Sequence, residues 1–305
     1  MRLIILDNNI LQFIFKVFFH SSTNEGQWKK RKYCRRFLLR TIMNPISTTL
    51  YYRDLRALGG IDDIIKLQPN LPAKIHRPYL HKTISIRERG VDIISHYKFI
   101  QTLPVKCQQI FFSKTPVELS KYKGKNGDYL SILCSPSRFD REGELMLSVI
   151  FNNICVCQLT FSFIKRNNMH AIFIGALQGA NKNTDHTIIQ QATKSSYGLF
   201  PKRIATESIL SISAACNIES ILAVTESSHV FNHYLYKRKK KDKLLAVYSD
   251  FWKSIGGTPH NDIYFLPKEI TRKSLNDIVS KKRSEYKKRY ALLDTINNEI
   301  TSKLT

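Results

Sequence analysis

Acid is what this sequence has least of. Its 305 residues hold 24 Asp and Glu against 48 Lys and Arg, a formal net charge of +24. Such an excess predicts polyanionic surroundings, whether nucleic acid, anionic lipid or phosphorylated cofactors, without choosing among them. The plainer alternative is a soluble protein of Lys-, Asn- and Ile-rich composition. Paired CxxC zinc spacing is missing as well. Cys34, Cys107, Cys134, Cys155, Cys157 and Cys216 form no compact secreted framework and read as free thiols in a reducing compartment. Cys155 and Cys157, two apart in an alternating apolar run, read as core on one strand face rather than as metal ligands. There is no Gly-x-Ser-x-Gly elbow, HExxH helix or Walker loop. With no helix-turn-helix or RNA-binding signature either, sequence-specific nucleic-acid recognition is a minority reading. No long apolar run is present: "MRLIILDNNILQFIFKVFF" is interrupted by Asp7, Asn8, Asn9, Gln12 and Lys16. It reads as an amphipathic segment rather than a signal peptide or a membrane span, on a cytoplasmic protein, with attachment to a membrane surface left open.

What is present is patterned. "WKKRKYCRRFLLRTIM" (28–43) sets Tyr33, Phe37, Leu38 and Ile42 at helical spacing, with basic residues mostly on the other face. Pro69 and Pro72 are expected to break the next stretch, and residues 74–85 to run extended around Pro78. A helix over 87–103 turns Ile93, Ile94, Tyr97 and Ile100 inward, with His96 beside the stripe as a satisfied core histidine. After Pro104 the texture becomes β-rich: "QIFFSK", "YLSILCS", "EGELMLSVIFN", "ICVCQLTFSFIK" and "HAIFIGALQG" are separated by turn residues at 125–127 and 152–153. They read as an antiparallel meander. A helix opens at Pro201, carries Ile204, Ser208, Ile212 and Ala215 on one stripe and stops near Asn217; a buried strand at 219–226 follows.

Meander, helix, strand is an order that resembles the acyl-CoA-dependent N-acyltransferase fold, in which a helix start beside the open sheet holds the pyrophosphate. The expected fold class is therefore α/β (α+β): N-terminal helices (1–103), an acyltransferase-like mixed, mostly antiparallel sheet (104–270) and a basic C-terminal helix (271–305). In "YGLFPKRIATESIL" proline suits the first helical turn, whereas Lys202 and Arg203 oppose the helix dipole unless a negative ligand arrives. The usual Arg/Gln-x-x-Gly-x-Gly/Ala loop is absent here. Gln178, Gly179, Lys194, Pro201, Lys202 and Arg203 make up the candidate anion pocket, for an acyl-CoA. Glu226 and His229, leaving the sheet at a strand end, are the candidate catalytic pair, against a structural role in hydrogen bonding. The clusters 237–243 and 281–289 supply solvated or phosphate-contacting cations, with Tyr286 and Tyr290 packed rather than stacked on bases.

A more specific likeness rests on ordered blocks: "RPYL" (77–80), "HYKFI" (96–100), "REGEL" (141–145), "IGALQG" (174–179), "ATKSSYGLFPKRIATES" (192–208), "ILAVTESSHVF" (221–231), "DFWKSIGG" (250–257) and "KKRSEYKKRYALL" (281–293). In these the chain resembles the VirK/YbjX family of enterobacterial virulence-associated proteins, and its composition is similar to the virulence-plasmid branch. The resemblance implies an intracellular bacterial protein linked to surface presentation of an outer-membrane virulence protein and to resistance against cationic peptides. It implies no reaction. The expected partners are an envelope or outer-membrane virulence protein, with anionic lipid or the inner-membrane surface as a further candidate. A transferase acting on an envelope component and a non-catalytic, chaperone-like binder both fit, and a nucleic-acid-binding regulator fits less well.

Overall fold

The computed structural model describes residues 26–181, 183–233 and 248–305. The amphipathic segment expected at 1–19 and the basic cluster at 237–243 lie outside these residues.

Six α-helices precede the sheet among the described residues: α1 (Arg31–Met43), α2 (Pro45–Arg56), α3 (Ile61–Leu67), α4 (Leu71–Lys74), α5 (Ile86–Thr102) and α6 (Val105–Phe111). In α5 the Ser85 hydroxyl accepts from the Glu88 N–H while the Glu88 carboxylate accepts from the Ser85 N–H, which fixes the helix start. Ile93, Ile94, Tyr97 and Ile100 are buried as their spacing requires, and the His96 Nδ1 accepts from the Phe163 N–H at 3.1 Å. Two expectations fail. Pro72 does not break the chain but sits in the first turn of α4, where its missing N–H costs nothing. In α1 only Phe37 is fully buried, edge-on to Trp28 and His76, and that contact turns Leu38 and Ile42 out to solvent.

Among the described residues eight strands form one sheet: β1 (Val117–Lys123), β2 (Tyr129–Pro136), β3 (Leu145–Phe151), β4 (Ile154–Arg166), β5 (Met169–Gly179), β6 (Ser220–Val224), β7 (Thr258–His260) and β8 (Ile263–Leu266). Their order is β1-β2-β3-β4-β5-β6-β8-β7, with β5/β6 parallel and every other pair antiparallel. The turns at Asn152–Asn153 and Asn167–Asn168 have positive φ at both residues, the twist a two-residue hairpin needs. "QIFFSK" is not the first strand. Gln109 to Phe111 close α6, where Cys107 and Phe111 are buried one helical turn apart. The first strand is "VELSKYK", whose Glu118, Lys121 and Lys123 gave it the look of a loop; charge is common on a strand that edges a sheet. A bulge in β4 pairs Val149 with Cys157 and Ile150 with Cys155, so Val156 also turns inward and Cys155 is left half-buried.

The crossover from β5 to β6 runs through α7 (His186–Ser195) and α8 (Pro201–Ala215). Ile204, Ser208 and Ile212 of α8 are buried, and Asn217 ends the helix in the left-handed region. Short α9 (Ser249–Ser254) precedes β7. The long α10 (Ser280–Leu304) packs on α8 and on β1. Its Glu299 carboxylate accepts the free edge N–H of Lys121 at 3.0 Å, so the helix covers one sheet edge. No helix among the described residues is long and apolar enough to cross a membrane.

Candidate functional site

α8 lies in the crossover that joins the two strands of the parallel pair β5 and β6, and its first turn carries Lys202 and Arg203. Phe200 is the N-cap and offers no side-chain cap; Pro201 follows. The Arg203 N–H turns back onto the Phe200 carbonyl at 2.9 Å. The Lys202 N–H, at the second helical position, has no carbonyl within the helix to bond.

A cavity of about 690 Å³ lies at this helix start. Gly179 of β5 and Pro201, Lys202 and Arg203 of α8 line it, so four of the six residues expected to bind an anion share one space. The other two do not. Lys194 is exposed near the end of α7, and Gln178 points its amide to the Glu142 carboxylate at 2.9 Å. Three cations that sequence reasoning did not assign complete the wall: Arg272 and Lys273 from the segment before α10, and Arg289 from α10. All five charged residues of the lining are cations. Three of them have carboxylate partners outside the lining: Glu207 holds Arg203 at 2.7 Å, Asp294 holds Arg272 at 2.6 Å and Glu285 lies 3.5 Å from Arg289. These pairs orient the guanidinium groups, and five cations against three carboxylates leave the surroundings of the cavity net positive.

Arg289 also stacks over the Tyr286 ring at 4.1 Å and donates to the Tyr197 carbonyl at 2.7 Å; Arg272 lies 5.3 Å from the Tyr290 ring centroid. The tyrosines are packed, as expected, and line the cavity. The lone glycine of "YGLF" has its reason here. Gly198 has φ 79°, and a β-carbon on it would lie 2.4 Å from the Arg289 guanidinium. The same lining holds apolar side chains, among them Ile189, Leu199, Phe200, Phe251 and Ile255. A cavity with both kinds of residue suits a ligand that carries phosphate and hydrocarbon.

Glu226 and His229 stand outside this lining, and their polar atoms have other work. Glu226 accepts from the N–H and hydroxyl of Ser249, both at 2.6 Å, and from the Tyr248 N–H, and so caps α9. Burial pushes its carboxyl up, but these donors outweigh that and hold it below the usual range. His229 is buried; its Nδ1 accepts from the Phe231 N–H at 3.2 Å, which leaves the proton on Nε2. That nitrogen lies 3.4 Å from the Glu142 Oε1, without hydrogen-bond geometry. Glu142, in "REGEL", therefore joins Gln178 and His229 in one buried group beside the cavity's β5 wall. A charged residue between turn formers gave no sequence signal of such depth. Its neighbour Glu144 is equally buried, held by Lys74 at 2.6 Å and by the Tyr97 hydroxyl at 2.6 Å.

The architecture and cavity define a mixed α/β protein with a pocket of cationic and apolar residues at the start of α8. The family described as Protein of unknown function (DUF535) matches residues 26–302. YbjX of Escherichia coli K12, described as uncharacterized, is 32% identical over 281 residues, 90% of this chain and 84% of its own. Two uncharacterized Haemophilus influenzae proteins are 30% identical over 151 residues (49% of this chain, 48% of theirs) and 29% identical over 134 residues (44% and 44%). No solved structure matches the chain. The chain belongs to the VirK/YbjX family.

Proposed function

We propose that the protein binds a phosphorylated acyl carrier of the acyl-CoA class in the cavity at the start of α8, as an acyltransferase-like protein of the bacterial envelope and its virulence functions. The observation that carries this reading is the double character of the lining: Lys202, Arg203, Arg272, Lys273 and Arg289 share one cavity with Leu199, Phe200, Phe251 and Ile255. An acyl carrier with a phosphate-rich head and a hydrocarbon tail meets both requirements at once. Further support comes from strand order, because a single parallel pair joined through α8 within an antiparallel sheet is the arrangement in which acyl-CoA-dependent N-acyltransferases hold pyrophosphate at a helix start. The missing glycine-rich loop means that side-chain cations would replace several backbone donors. A non-catalytic binder is the second reading, and one observation favours it: Glu226 and His229 both stand outside the cavity lining, with the Glu226 carboxylate engaged in capping α9 and His229 Nδ1 in the loop after β6.

Thermal unfolding of the purified protein with coenzyme A, acetyl-CoA and a long-chain acyl-CoA tests the reading. Ligand at about a hundred times its dissociation constant stabilises by about 2.7 kcal/mol, a shift of several degrees. The long-chain form is expected to act most strongly, and a Lys202→Ala, Arg203→Ala double variant is expected to lose the shift. A folded sample that responds to none of the three would end the acyl-CoA reading.

A further inference from the structure

Five of the thirteen large apolar side chains exposed among the described residues fall within nine residues of one another. Leu38, Leu39, Ile42, Met43 and Ile46 are 43%, 60%, 75%, 69% and 58% exposed, at the junction of α1 and α2. The helix pair does not need them for its own attachment. Trp28 donates to the Pro69 carbonyl at 2.8 Å, Tyr51 and Tyr52 donate to the carbonyls of Leu71 and Pro72 at 2.8 Å each, and Arg40 donates to the His76 carbonyl. The inner face is thus fastened and the corner points away from it.

The corner's backbone is also suited to leaving water. Asn44 ends α1 and starts α2: its N–H bonds the carbonyls of Arg40 and Thr41, its side-chain amide donates to the Arg40 carbonyl at 3.2 Å, and its own carbonyl accepts from the Thr48 hydroxyl at 2.7 Å. Pro45 brings no N–H to satisfy. These bonds reduce, without abolishing, the number of bare amides that the turn would bring to the margin of a bilayer, the Ile46 and Ser47 N–H groups of the uncapped first turn being left for headgroup oxygens. Around the turn the charge has one sign. Lys29, Lys30, Arg31, Lys32, Arg35 and Arg36 are all exposed, and no carboxylate occurs between Glu25 and Asp54.

We infer that the α1–α2 corner docks on the surface of an anionic phospholipid bilayer, with Leu38, Leu39, Ile42, Met43 and Ile46 inserted among the acyl chains and the α1 cations on the headgroups. Charge complementarity selects this occupant over a second copy of the chain. A two-fold contact would set two such cationic helices against each other, whereas a lipid phosphate layer neutralises them. This inference stands apart from the acyl-carrier pocket and needs no ligand in it.

The test is flotation of the full chain with phosphatidylglycerol–phosphatidylcholine vesicles, in low salt and in about 1 M NaCl, where the Debye length is about 3 Å. Adsorption through overall charge disappears at high salt, and insertion of apolar side chains persists. The wild type is expected to float in both. A Leu39→Ser, Ile42→Ser, Met43→Ser variant alters only exposed positions and is expected to melt as the wild type does but to bind at least roughly tenfold more weakly in high salt. A Lys281→Ser, Lys282→Ser, Lys288→Ser variant, changed on α10, is expected to float in high salt like the wild type. Equal flotation of the wild type and the apolar variant in high salt would overturn the inference. So would the absence of wild-type flotation, including the case in which sedimentation shows a dimer that the apolar variant loses.

Discussion

Lys74 and Glu144 meet at 2.6 Å with both side chains almost wholly out of water, and the Tyr97 hydroxyl donates to the second carboxylate oxygen. Charges so placed hold together only as a set, because removing one leaves the other buried without its counter-ion. Lys74→Met is expected to cost about 3–5 kcal/mol in urea unfolding, whereas a surface change such as Lys66→Met, in an exposed pair with Asp63, is expected to leave the urea midpoint close to that of the wild type. His76 offers a second residue-scale test. Burial, then the nearby Arg40 and Arg89 cations, lower its pKa from 6.5 to about 4. The unfolded chain therefore takes up this proton first as pH falls, and stability present above about 6.5 is lost progressively toward about 4. Denaturant midpoints measured through that window should fall less steeply in His76→Gln than in the wild type. Equal slopes would remove His76 from the acid response.

At the scale of elements, the β5 bulge shows what a glycine does. Thr160 pairs with Ala176 and Phe161 with Ile174, so Gly175 is the extra residue, and a β-carbon there would lie 1.9 Å from the Glu142 carbonyl oxygen. Gly175→Ala must push the "REGEL" loop off the sheet and is expected to cost about 3 kcal/mol or more, read from the thermal midpoint. A near-neutral result would mean that the loop is free to move. The same elements show what could be read without coordinates. α5 and α8 were legible because each buries a stripe at helical spacing, and α8 also has a clear start in Pro201; the Ser85–Glu88 capping box that starts α5 was visible in the spacing but went unread. β2 to β6 were legible from apolar runs divided by turn residues. β1 was not, because an edge strand carrying charge on alternate positions has the composition of a loop, and α6 was mistaken for a strand because Ile110, Phe111 and Phe112 are strand formers by type. Lys202 and Arg203 were found from their odd position at a helix start. Arg272, Lys273 and Arg289 reach the same space only through the packing of α10 on α8, and no spacing in the chain records that.

Over the whole molecule the net charge of +24 resolves into surfaces with different chemistry. Three of the five cavity cations are paired with carboxylates, and all five share their space with apolar side chains; those of α1 flank an exposed apolar corner; those of α10 that turn outward are solvated. Phosphate contacts made by the cavity should weaken with salt while its apolar residues continue to favour a hydrocarbon tail. Calorimetric titration of a long-chain acyl-CoA into the wild type and into Lys202→Ala, Arg203→Ala separates the cavity from the rest, since the variant keeps most of the overall charge. The account predicts one site per chain in the wild type, with affinity at least roughly tenfold weaker in the variant, about 1.4 kcal/mol. The same affinity in both, or no saturable heat in the wild type, would contradict it.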